Sequence, residues 1–75
     1  MNRGPKEQFH KETWGNLVFI LNPIYQGTRL MYRVLCLNDK QEVLETGTYV
    51  NYSVAYSIYM SVKEKYIKLY EKRGY

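Results

Sequence analysis

The sequence predicts an α+β fold: three short strands in an antiparallel sheet packed on one long C-terminal helix, with an N-terminal arm. The boundaries expected are an arm over residues 1–15 and a single βββα domain over residues 16–75. Two observations carry this. Between residues 17 and 50, apolar runs of four to nine residues alternate with turn residues, which is the signature of strands. After Asn51 a 3.6-residue period takes over and persists for about five turns.

The elements follow in order. Residues 1–13 are polar and contain Gly4-Pro5, so they read as a loosely held arm. Residues 17–21 form an apolar run that should end at Asn22-Pro23, because proline cannot continue a central strand. Gly27 stands alone in a hairpin. Residues 29–37 form the longest run and are followed by Asn38-Asp39, which has turn chemistry. Residues 43–50 are β-branched and aromatic, with Gly47 marking a bulge or a close approach. Asn51 or Ser53 can cap the helix and Gly74 can stop it.

On the helix, Ala55, Ile58, Tyr59, Val62, Tyr66 and Leu69 form the stripe expected to face the sheet. Ser53, Ser57, Ser61, Glu64, Lys65, Lys68, Glu71 and Lys72 form the solvated arc. The apolar arc continues past the stripe through Tyr52, Tyr56, Met60, Ile67 and Tyr70, well beyond the ~100° that one sheet face requires. The strands are also apolar on both parities. Leu30, Tyr32, Val34 and Cys36 should face one way, and Met31, Leu35 and Leu37 the other. One helix covers one face. The remaining apolar surface is covered either by the arm, through Phe9 and Trp14, or by a partner.

Composition excludes several function classes. A 75-residue chain makes one domain and buries only about 60% of the surface its unfolded form exposes. One cysteine and one histidine supply neither a disulfide nor four zinc ligands, so no metal or other cofactor is expected. The longest apolar runs, 17–21 and 34–37, fall far short of the ~20 residues that span a bilayer, so no membrane partner is expected. An unpaired thiol behind a polar N-terminus that resembles no export signal points to a reducing, cytoplasmic setting. His10 has no nucleophile signature beside it, Cys36 lies mid-strand among apolar residues, and no phosphate loop follows a strand. The expectation is therefore a protein that is not an enzyme.

The net charge of +4 gathers at the C-terminal end, where Lys63, Lys65, Lys68, Lys72 and Arg73 stand against Glu64 and Glu71. Cations near a helix C-terminus are favoured by the macrodipole, so a solvated face accounts for them. The run Gly47-Thr48-Tyr49 followed by Ala55 and Tyr59 resembles the end of an AP2-type DNA-binding domain, and the order of elements is similar to the arm-binding domains of tyrosine recombinases. That resemblance implies three strands, one helix, and DNA read by the sheet.

Two functions compete. The first is a small regulator or inhibitor of the phage or mobile-element kind, a class suggested by small size and Tyr-, Lys- and Asn-rich usage. It would bind a host protein or nucleoprotein, or pair as a homodimer, through Tyr52, Tyr56, Met60, Ile67 and Tyr70. The alternative is DNA or RNA bound weakly by the sheet and the basic helix end, using Arg29, Arg33, Lys40, Lys65, Lys68, Lys72 and Arg73.

Overall fold

The computed structural model describes residues 9–72. It is α+β, with four strands rather than three. β1 (His10–Trp14), β2 (Leu17–Gln26), β3 (Arg29–Leu37) and β4 (Val43–Tyr49) are followed by α1 (Tyr52–Lys72). The strands form one antiparallel meander in the order β1-β2-β3-β4.

The added strand lies in the segment expected to be an arm. Trp14 pairs with Leu17 across Gly15-Asn16, and Gly15 has φ 59°. Gln26 pairs with Arg29 across Gly27-Thr28, and Gly27 has φ 66°. A positive φ at the first central residue suits a two-residue hairpin, and glycine adopts it without steric penalty. Gly4, Pro5 and Gly74 lie outside the described residues.

β2 also overruns its expected end at Asn22-Pro23 and carries on to Gln26, with Pro23 opposite Tyr32. The reason is geometric. β1 accompanies β2 only as far as Leu21, so among the described residues Pro23 sits on a stretch with β3 on one side and a free edge on the other. An edge position tolerates a missing N–H.

The expected turn at Asn38 is present. Its side-chain Oδ1 accepts from the backbone N–H groups of Lys40 and Glu42, each at 2.9 Å. Asn51 caps α1, with Oδ1 accepting from Ser53 N–H at 2.8 Å. The sheet's irregularity falls at Cys36/Leu37, so Gly47 is not a bulge. Gly47 is a close approach instead: a Cβ there would stand 2.8 Å from Cζ of Tyr49, whose ring lies over the glycine.

The core joins Leu17, Phe19 and Leu21 of β2 to Tyr32, Val34 and Cys36 of β3 and to Ala55, Tyr59 and Val62 of α1. Ile58 and Tyr66 pack against it as expected. Leu69 does not and is 42% exposed. Tyr52, Ile67 and Tyr70 pack against the core in its place. The buried stripe is thus rotated toward the tyrosine flank, because the sheet is one strand wider on the β1 side than the expected three-stranded sheet.

Candidate functional site

The tyrosine flank divides on folding. Tyr52, Ile67 and Tyr70, expected to face a partner, belong to the margin of the core. Tyr56 and Met60 remain outside, 39% and 42% exposed, beside an open groove along α1 bordered by Ser53, Lys63, Ile67 and Glu71. Tyr52 is held by His10 of β1, whose Nε2 lies 2.8 Å from the Tyr52 hydroxyl. The His10 ring also meets the rings of Tyr56 and Tyr59, at 5.3 and 5.9 Å between centroids. Burial pushes the Tyr52 hydroxyl above its usual pKa, with Tyr56 adding to the effect. These aromatics dock β1 onto the helix.

Two ion pairs fasten the outer strands to the helix. Lys63 bonds Glu12 of β1, and Tyr59 Oη donates to the same carboxylate at 3.4 Å. Lys65 bonds Glu45 of β4 at 2.8 Å. Each lysine's hydrogen bond holds its carboxylate below the usual range. Burial drives Tyr59 upward, and the Glu12 charge adds to it. The Cys36 thiol is fully buried, and desolvation, with Glu45 nearby, raises it to about 11. The polar chemistry on the helix side of the sheet is structural.

The other side of the sheet differs. Register and alternation place Lys11 and Thr13 of β1 on it, then Val18, Ile20, Asn22 and Ile24 of β2. β3 contributes Arg29, Met31, Arg33, Leu35 and Leu37, and β4 contributes Val43, Thr46 and Thr48. Phe9 and Trp14 do not cover this face. Phe9 is 50% exposed, and Trp14 packs against the core on the helix side. Among the described residues α1 is the only element outside the sheet, so this face is bare. An antiparallel sheet with one wet face ordinarily alternates apolar inward with polar outward. Here seven aliphatic side chains point outward.

In the middle of the face Asn22 stands opposite Arg33. Asn22 Oδ1 and Arg33 Nε are both shut off from solvent and have no hydrogen-bond partner among the described residues. Tertiary pairing creates this site. In the sequence, its signals are the two apolar parities of β2 and β3 and the Gly15-Asn16 turn that extends the sheet.

The cations expected to bind nucleic acid do not converge. Arg29 and Arg33 are on the bare face, and Lys40 is in the loop after β3. Lys65 and Lys68 are on α1, across the sheet, and pair with Glu45 and with Glu64 at 3.7 Å. The helix packs on the face opposite Arg33, so sheet and helix cations cannot form one surface. The Lys72 side chain and Arg73 lie outside the described residues. Among the described residues no helix is long and apolar enough to cross a membrane, and no three His, Cys, Asp or Glu gather as metal ligands.

No family model, curated protein or solved structure matches this chain.

Proposed function

We propose that this chain is a non-enzymatic binding protein, a small regulator or inhibitor of the phage or mobile-element kind, that docks a protein partner on the bare face of its sheet. The observation that carries the reading is that face: Val18, Ile20, Ile24, Met31, Leu35, Leu37 and Val43 point away from the helix with no described element over them. Val43 is exposed and the other six are half-buried, and contiguous apolar surface left open to solvent marks interaction sites. Four strands ~4.8 Å apart and a longest run of ~3.4 Å per residue bound a plane of at most roughly 19 by 30 Å, under the ~800 Å² that a standard interface takes from each partner and within the range of small, transient contacts.

The titratable groups on the other side support the same reading, since Glu12, Glu45 and His10 are engaged in holding the helix. Tyr56 and Met60 offer a smaller, secondary contact.

The test is capture of partners from a lysate, with and without nuclease. Ile20→Thr with Leu35→Thr removes aliphatic area while placing at both positions a β-branched residue suited to strands. That double variant should lose the nuclease-resistant partner and melt close to wild type. Retention of every partner would refute the sheet face as the docking site. Loss of all capture on nuclease treatment would favour the nucleic-acid alternative.

A further inference from the structure

The charge on the bare face identifies the chemistry of what covers it, an inference that rests on the docking reading above. The strands sort their charges by side. Glu12 and Glu45 face the helix and are neutralised by Lys63 and Lys65. Lys11, Arg29 and Arg33 face the other way, and no strand carboxylate accompanies them. Among the described residues none of these three cations makes an ion pair. Arg33 is central, between Leu35 and Met31 along β3, and its Nε is buried without an acceptor. A guanidinium stays charged, and its fork of N–H groups matches a carboxylate with two parallel bonds. A buried donor left unmade is costly, and the charge of Arg33, with no strand carboxylate on its face, is what an acidic group from outside would answer.

Three occupants meet this pattern differently. A second copy would set Lys11, Arg29 and Arg33 against themselves about a two-fold axis, with no carboxylate on either side. Nucleic acid would satisfy the cations, yet its phosphates offer nothing to seven aliphatic side chains, and among the described residues the face carries no aromatic ring on which a base could stack. An acidic protein surface answers both features. We propose that the partner presents aliphatic side chains flanked by Asp or Glu, with one carboxylate seated on Arg33 beside Asn22 and others near Lys11 and Arg29.

The test uses the full chain with labelled Ile, Leu, Val and Met methyl groups and three probes: an amphipathic Leu/Glu peptide, its counterpart with lysine for glutamate, and a short DNA duplex. The acidic peptide should shift the methyls of Ile20, Ile24, Met31 and Leu35, leave Met60 in place, and bind at least about tenfold more weakly to Lys11→Glu with Arg29→Glu. Both of those side chains are exposed, so the double variant should fold. Equal binding of the lysine peptide, stronger binding of the duplex, or no shift at millimolar acidic peptide would overturn the proposal. The two readings fail separately. A captured partner that is lost with Ile20→Thr and Leu35→Thr but indifferent to Lys11→Glu with Arg29→Glu would leave the docking face standing and refute its acidic partner.

Discussion

Val62 and Cys36 show how little of this molecule is spare. Val62 is 5% exposed at the centre of the helix stripe, and Cys36 of β3 is fully buried in the same core cluster. An unpaired carboxylate at position 62 costs several kcal/mol, against a total stability of roughly 4–11 kcal/mol for a chain of this size. Val62→Asp should therefore unfold the domain, and loss of the helical circular-dichroism signal would show it. The thiol supplies an independent readout. With its pKa raised to about 11, Cys36 holds almost no thiolate at neutral pH and has no route to solvent. Wild type should resist alkylation at pH 8 for as long as it stays folded, whereas Val62→Asp should be labelled at once. A Val62→Asp protein that melts normally and keeps its thiol protected would mean that the helix is rotated away from the position described.

At the scale of elements, the helix and its cap were legible because their signals are local. The 3.6-residue period and an Asn at the start need no knowledge of what lies across from them. β1 was not legible for the opposite reason. His10–Trp14 has one large apolar residue in five, and it is a strand because β2 pairs with it and its inward side chains meet α1. Pro23 misled for a related reason, since edge status belongs to the sheet and not to the proline. The bare face was half visible, in the two apolar parities of β3, but which parity the helix takes emerges only from packing. The tyrosine flank shows the consequence. Tyr52 packs against the core and bonds His10, while Tyr56 and Met60 stand outside. Tyr52→Ala should lower the melting temperature by several degrees, in line with large-to-small losses at the core margin. Tyr56→Ala with Met60→Ala should leave it within a degree or two. Equal destabilisation by both changes would mean that the flank is one structural unit.

For the whole molecule, sorting charge to opposite sides of the sheet separates what holds the fold from what is free to bind. Protonation should expose this separation. Glu12 and Glu45 both titrate below the usual 4.5, chiefly because Lys63 and Lys65 hydrogen-bond their ionised forms. A carboxylate whose folded pKa is depressed contributes stability that is fully present above the unfolded value. That contribution is lost as pH falls through the folded one. The melting temperature should therefore be flat from pH 7 to about 5 and decline below about 4.5 as the two carboxylates protonate. The decline should be shallow, because the Glu12 and Glu45 side chains keep 53% and 36% exposure and water screens their pairs. Salt should flatten it further. Glu12→Gln with Glu45→Gln should lower stability at pH 7 and remove most of the pH dependence between 5 and 3. Melting curves of the wild type and the Gln pair at pH 7, 5 and 3 decide the matter. If the two proteins lose stability in parallel as pH falls, the acid sensitivity arises elsewhere and the two ion pairs are not what fastens β1 and β4 to the helix.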